Sequence, residues 1–318
     1  MRFVLCSLFI LLIVTGASAQ EYRNQFGFRS DNDSYLLNGS DRYYTNGLFL
    51  YFNHGLKVNT DSSSLANKIL GFEAGQKMFN AQSGSVPYIF YDDRPFAGYL
   101  YGAVNLNLLY KNESNLKLTA QVGVVGPSSL AEKAQQAVHH LFGQYDLDGW
   151  QYQIPDNVEL NLSAEYNRLL TRGKSVDLSL TSYANLGNGF TGAGVGPLVR
   201  IGKFNQLYFS QTTRSTVTAN SNVKPLNSSE FFFYYKPQFN WVGYDATIQG
   251  GIGQQDKFYY PGSFRHIEPV IFSQQVGAVY STHRWVYEAY ALFETKDTKE
   301  MVREGHQWGT VEILYKFN

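Results

Sequence analysis

From Asn157 to Asn167 the chain alternates with period two. Val158, Leu160, Leu162, Ala164 and Tyr166 share one face, and Asn157, Glu159, Asn161, Ser163, Glu165 and Asn167 share the other. Side chains alternate across a strand, so in water this pattern puts one face on a core, and in a membrane it puts one face on lipid and the other on a polar lumen. The same alternation recurs. Leu116, Leu118, Ala120, Val122 and Val124 alternate with Asn115, Lys117, Thr119 and Gln121, and Val176, Leu178, Leu180 and Ala184 alternate with Asp177, Ser179, Thr181 and Asn185.

The pattern predicts about a dozen strands, near residues 24–31, 43–54, 68–79, 98–111, 115–125, 157–168, 174–185, 192–202, 230–241, 268–280, 284–295 and 308–317. An even count is what a single-chain bacterial barrel requires. Tyr244 to Gln254 is Gly-rich and poorly alternating, so it is assigned to a loop. Segments such as Leu100 to Tyr110 have the length a tilted strand needs to cross a bilayer. Aromatics gather at segment ends, as at Phe231, Phe233 and Tyr235 or Trp285 and Tyr287, where membrane interfaces place them. Turns alternate between tight ones, Thr171 to Gly173 and Asn188-Gly189, and long polar ones such as Gln211 to Ser229. The chain ends on Val311, Ile313, Tyr315 and Phe317 alternating with Thr310, Glu312 and Lys316, which resembles the C-terminal strand of outer-membrane barrels.

One stretch breaks the period. Ser129-Leu130-Ala131-Glu132 reads as a capping box, and Ala131 to Phe142 is rich in helix formers, so a short helix is predicted there. It could plug the lumen, rest on the rim or carry chemistry.

Composition agrees with a membrane barrel. The chain holds 24 Tyr and 23 Phe, while no stretch after the first residues approaches the roughly 20 apolar residues a membrane helix needs. Arg2, the apolar run Phe3 to Val14 and Ala17-Ser18-Ala19 read as a secretory signal over residues 1–19, which leaves 20–318 as the barrel. The lone Cys6 leaves with that signal, so disulfides, cysteine catalysis and thiolate metal sites are excluded from the mature chain. Formal charge is zero with no basic cluster, which argues against nucleic acid as a partner. The fold class is therefore all-β: a transmembrane antiparallel barrel of about twelve strands with one short helix.

Two clusters could carry chemistry. Asp31-Asn32-Asp33 ends the first strand and Asp41-Arg42-Tyr43-Tyr44-Thr45-Asn46-Gly47 opens the second, so both lie at one end of one hairpin. Such oxygen donors can bind a hard cation such as calcium, and Asp and Asn also simply populate turns. On the helix, Gln135 and His139 are four apart and share a face, with His140 turned about a hundred degrees away. A histidine there could act as a general base or be merely structural. No Gly-x-Ser-x-Gly elbow is present, and Gly192-Ala193-Gly194-Val195-Gly196 is a strand feature, because no helix follows it. Asp93-Arg94 reads as an ion pair at a strand start, and His266, His283 and His306 as exposed or interfacial residues.

Taken in order, these blocks resemble the lipid A 3′-O-deacylase (LpxR) family of outer-membrane enzymes. The resemblance rests on Asp31-Asn32-Asp33, on Asp41 to Gly47, on Asp93-Arg94-Pro95-Phe96-Ala97-Gly98-Tyr99-Leu100-Tyr101, on Gly126-Pro127 leading to Gln135, His139 and Gly143, and on Trp150-Gln151-Tyr152-Gln153-Ile154. It spans most of the mature chain. It implies a twelve-stranded outer-membrane esterase that removes the 3′-linked acyl chains of lipid A or lipopolysaccharide among outer-membrane lipids, with calcium as cofactor and the short helix in an extracellular-side loop; a monomer is expected. By the same resemblance the catalytic residues are His139, Asn32, Asp33, Thr45 and Gln135, and Asp33 and Asn32 are the metal ligands. A family glutamine expected after Asn32-Asp33 falls near Asn38-Gly39 instead, and a family lysine has no clear counterpart between Asn80 and Asp92, although Lys77 lies just outside. A non-catalytic porin or structural barrel, and a phospholipase barrel built on Ser, His and Asn, are the alternatives.

Overall fold

A computed structural model describes residues 22–37, 41–253 and 266–318, so the expected signal segment 1–19 lies outside the described residues. Twelve strands form one closed antiparallel barrel. They are β1 (Asn24–Asn32), β2 (Tyr44–Gly55), β3 (Leu65–Phe79), β4 (Ala97–Tyr110), β5 (Ser114–Val125), β6 (Asn157–Arg172), β7 (Val176–Gly187), β8 (Phe190–Lys203), β9 (Glu230–Asp245), β10 (Val270–Ser281), β11 (Trp285–Thr295) and β12 (Gly305–Phe317). Nine residue pairs, from Asn24 opposite Phe317 to Asn32 opposite Gly309, close the barrel between β1 and β12. Closure leaves no open edge, which is the condition for a sheet to span hydrocarbon.

The period-two pattern becomes inside against outside. Phe26, Phe28, Leu48, Leu50, Phe72, Leu118 and Leu160 stand exposed on the outer wall. Gln25, Asn53, Asn105 and Glu312 are buried on the lumen side. Trp285, Tyr287, Tyr280, Tyr315 and Phe317 are stacked or tilted against one another at the end of the barrel that holds both chain termini. Such an aromatic girdle marks a membrane interface. The short connections at 111–113, 173–175 and 282–284 share this end, which makes it the periplasmic one. At the opposite, extracellular end stand the connections after β1, β3, β5, β9 and β11.

Two expectations about connections are corrected. The tight Asn188-Gly189 turn lies at the loop-bearing end, and the long segment between β8 and β9 belongs to the periplasmic end. That segment folds back into the lumen. Gln25 donates to Thr216 Oγ1 at 2.8 Å, Asn67 to the Val217 carbonyl at 2.9 Å and Asn107 to the Thr213 carbonyl at 2.8 Å. Arg214 reaches Glu312 at 3.1 Å and lies over the Tyr51 ring, while Gln211 donates to both Glu288 and Glu312 at 3.0 Å. Strand polarity on the inner face thus serves to hold a plug, and polar alternation alone does not distinguish plugged lumen from water. Tyr244 and Asp245 extend β9, after which Asp245 caps a one-turn helix, α2 (Ala246–Gln249), so the predicted loop begins later.

Asp93 and Arg94 do not pair with each other. Asp93 accepts from the Tyr43 phenol at 2.8 Å, the Gln82 amide at 2.8 Å and the Val302 amide at 2.9 Å, tying three extracellular loops together. Arg94, fully buried, bonds Asp297 at 2.9 Å and Thr247 at 3.0 Å and covers the Phe79 ring. Burial pushes the Asp297 carboxyl up, but His306 and Arg94 beside it hold it well below the usual carboxylate range. His306 is itself corrected, because its side chain is buried against Asp297 and Glu294 rather than exposed.

The plug's anchor is Arg200, which is fully buried and bonds Asp177 through two nitrogens at 2.9 and 2.6 Å, then reaches Ser210, Thr212 and the Asn205 carbonyl. Removing one partner of such a pair leaves a buried charge uncompensated, at a cost of about 3–5 kcal/mol. Arg200→Ala is therefore expected to lower the midpoint of urea unfolding and to expose the 204–229 segment to protease added from the periplasmic side. Wild-type protection in that variant would show that the plug does not depend on Arg200.

Candidate functional site

The helix predicted around His139, α1 (Ala131–Phe142), packs on the outside of the wall at its extracellular end. Two features dock it there. Gly98 on β4 faces it without a side chain, so close that an added Cβ would lie 2.0 Å from Ser129 Oγ and 2.3 Å from the Ala131 methyl. Below it, Ala131 joins Met78, Ala81, Phe96 and Trp150 in one apolar cluster. Gln76, on the outward face of β3, donates to the Ser129 carbonyl at 2.6 Å.

The capping box does not form. Pro127–Ser129 makes a 3-10 turn, and α1 starts after Leu130, which has left-handed backbone (φ 60°) and gives no side-chain cap. Ser129 is buried against Gly98, and Glu132 instead accepts from Gln136 and Gln153. The Ser-x-x-Glu spacing was legible, but packing against the wall took the serine first.

At the other end Gly143 ends the helix in the left-handed conformation (φ 63°), its N–H directed at the His139 and His140 carbonyls. The chain doubles back, and the Tyr145 carbonyl arrives 2.9 Å from His139 Nδ1. The His139 side chain is only 6% exposed, with Nε2 3.3 Å from Asp41 Oδ2, and its ring meets the Tyr145 ring edge-on. His140 is exposed, as the helical spacing predicts. Gln135 is buried one turn earlier. Its side-chain oxygen accepts from Trp150 Nε1 at 2.9 Å, and its buried amide nitrogen has no hydrogen-bond partner among the described residues.

Of the hairpin cluster, Asn32 lies on the same outer wall, and Asp33 and Thr45 lie at its rim. Asn32 opposes Asn46 and donates to its side-chain oxygen on the outward face of β1 and β2. The Asn32 oxygen caps the 3-10 turn Asp33–Leu36, which folds over β12 so closely that Gly309 has no room for a side chain beneath Tyr35. Asp33 is buried and accepts from the Arg42 amide at 3.3 Å. With Arg42, Glu294, His306 and Gln307 it lines a rim cavity of about 310 Å³. Thr45 is fully buried at a bulge in β2, its hydroxyl turned toward the Met78 carbonyl at 3.4 Å. Lys77 faces the lumen with Arg29 and Glu73, on the opposite side of the wall from α1.

The cluster and the helix therefore meet through a short chain of contacts, in which Asp33 receives the Arg42 amide and neighbouring Asp41 faces His139. Electrostatics agree. The Tyr145 phenol donates to Asp41 Oδ2 at 2.6 Å, and burial, that hydrogen bond and the charges of Asp41 and Asp33 push its pKa well up. Asp41 stood in the sequence only as a possible cation ligand, and Tyr145 and Trp150 were not singled out for a contact with either helical residue. The one signal for Tyr145 was Gly143, whose turn brings its carbonyl back.

As to metal, calcium takes oxygen ligands, and the Asp33 carboxylate and Asn32 carboxamide supply that donor type. Among the described residues no group of three His, Cys, Asp or Glu side chains is gathered at metal-holding distance. Amide and backbone oxygens and water would therefore have to complete such a shell, which calcium accepts.

A closed twelve-stranded antiparallel barrel with a helix docked against the outside of its wall defines an integral outer-membrane protein. The family model for outer membrane protein LpxR matches residues 3–317, and the chain belongs to that family, the lipid A deacylases, which are hydrolases. Among solved structures, LpxR from Salmonella typhimurium superposes with a TM-score of 0.72 at 18% identity, covering 92% of this chain and all of that one. The KdgM porin (TM-score 0.41, 6% identity, 92% and 99% coverage) and the β domain of the Bordetella autotransporter Brka (0.47, 8%, 94% and 99%) are more distant. No curated protein matches.

Because α1 rests on a glycine, Gly98→Leu should lift it from the wall while the strand pairs of β4 survive. Deacylation is expected to fall at least ~10²-fold, since a displacement of about 1 Å already costs that much, with heat-modifiable migration of the barrel unchanged. Wild-type activity in a folded Gly98→Leu protein would separate the chemistry from the docked helix.

Proposed function

We propose that this chain hydrolyses the 3′-linked acyl ester of lipid A, with His139 as general base. The observation that carries the reading is the His139 ring, buried on the wall-facing side of α1 with Nδ1 held by the Tyr145 carbonyl. A carbonyl only accepts, so Nδ1 bears the hydrogen and, in the neutral ring, Nε2 keeps the lone pair. In the proposed reaction Nε2 takes a proton from water and the resulting hydroxide adds to the ester carbonyl carbon. The bond between that carbon and the sugar 3′-oxygen then breaks to leave the carboxylic acid, and the departing sugar alkoxide recovers the proton from the imidazolium.

The Gln135 amide nitrogen, without a partner among the described residues, would be a donor for the developing oxyanion, because a buried N–H that lacks an acceptor gains one when the substrate arrives. Asn32 and Asp33 would hold calcium, which when bound would polarise the carbonyl. Thr45, buried at the bulge, would fix the shifted register between β2 and β3 through its hydroxyl on the Met78 carbonyl. An outer-wall site suits the substrate, since acyl chains can remain in the bilayer while the head group meets the extracellular loops. We take a monomer as the working unit.

The helix offers two adjacent histidines, and they give the test. His139→Ala should reduce deacylation by about 10²–10⁴-fold, the usual contribution of a general base, while His140→Ala retains most activity. Mass spectrometry of lipid A from cells expressing each variant reads the result, and a dead His140→Ala beside an active His139→Ala would refute the assignment. Asp33→Ala should likewise abolish turnover, and calcium should restore chelated wild type but not the variant. Full wild-type activity in excess chelator would remove the cation.

A further inference from the structure

We infer that Asp41 is a positioning residue for His139: it stations the ring's Nε2 edge at the site and stabilises the imidazolium that proton uptake creates. The inference rests on the reading of His139 given above and adds a residue to it.

Three contacts fix the ring. Nδ1 is bound by the Tyr145 carbonyl, one ring edge is covered by the Tyr145 side chain with centroids 5.0 Å apart at 84°, and Nε2 faces Asp41 Oδ2 at 3.3 Å. That last separation is longer than the roughly 2.7–2.9 Å of a tight charge-assisted bond. The pair can therefore shorten once Nε2 carries a proton. Asp41 is held in place from elsewhere. The Tyr145 phenol donates to the same Oδ2 at 2.6 Å, and Asn80 donates to the Asp41 carbonyl at 3.2 Å.

The backbone is bent to allow this. Asp41 (φ 42°) and Tyr43 (φ 60°) both adopt left-handed conformations that cost a non-glycine residue of order 1 kcal/mol each or more. The Tyr43 bend is accounted for by the phenol that reaches Asp93, and the flanking Arg42 amide by Asp33. What the Asp41 bend gains is the side chain's placement against His139 and Tyr145. A carboxylate on a turn at a barrel rim would otherwise face solvent, where its hydration is unopposed.

Asp41→Ala, checked for heat-modifiable migration, is expected to lower kcat about 10²-fold with KM within twofold, since the ring's placement and charge matter to the step and not to substrate binding. Asp41→Glu should recover part of the loss. The deciding measurement is a double-mutant cycle. If Asp41 acts through His139, then Asp41→Ala made in a His139→Ala background costs nothing further; a merely structural role would add its own loss. Additive losses, or full activity in Asp41→Ala beside a dead His139→Ala, would overturn this inference and leave the His139 assignment standing. An active His139→Ala would instead remove the assignment on which it rests. Should Asp41→Ala fail to fold, the same cycle with Asp41→Asn, which keeps the shape and the acceptor for Tyr145, gives the answer on the same criteria.

Discussion

Everything in this protein depends on the closure of one hydrogen-bonded sheet in a medium that offers no hydrogen bonds of its own. Each unpaired backbone group would cost several kcal/mol in hydrocarbon, so the strands pair around the full ring and β1 must meet β12. Closure divides space. Once the wall is sealed, every other residue belongs to the lumen and its neighbours belong to lipid. The lumen is then free to be filled. The 204–229 segment does so, matching Arg214 and Gln211 to Glu73, Glu288 and Glu312 where a porin would keep water.

The wall was legible in the sequence because its physics is local: alternation, strand length and terminal aromatics are all read within ten residues. Boundaries moved by a few residues, as at β6, which runs on to Arg172, and β9, which absorbs Tyr244 and Asp245. The plug was not legible, since polar turn residues look alike whether they meet water or the inner wall. His306 and Asp93-Arg94 were misread for a related reason. A charged residue's partner is a property of the assembled loops, and Arg94 finds Asp297 about two hundred positions away.

Of the candidate site, the helical face was readable and its surroundings were not. Spacing put Gln135 and His139 together and turned His140 away, and the structure keeps that division. Periodicity contains nothing that names Tyr145 or Trp150, because their contacts arise from a glycine-ended helix folding back and from a loop that returns across Phe96. The resemblance supplied the order of the blocks. Geometry supplies the reason that Asp41 and Asp33, eight residues apart, converge on one rim.

Alternation also gives a physical reason for the proposed site to lie at the rim. Along β1, Arg29 and Asp31 point into the lumen and pair with each other, while Ser30 and Asn32 point outward, so consecutive polar residues inside a strand serve opposite compartments. A reaction needing several polar groups around one ester cannot be assembled from such a strand. Only where the pairing stops can the chain turn and bring neighbours to one side. Asn32 caps a 3-10 turn at that point, Asp41 and Tyr43 bend out of the ordinary backbone regions across from it, and Thr45 sits in a bulge where the register slips. Two of these departures, at Asp41 and Tyr43, carry a side chain to α1 or to a loop beside it, where Asp41 meets His139 and Tyr43 meets Asp93. The outer wall supplies access to lipid, and the irregular end of the hairpin supplies the polar groups that the regular wall must exclude.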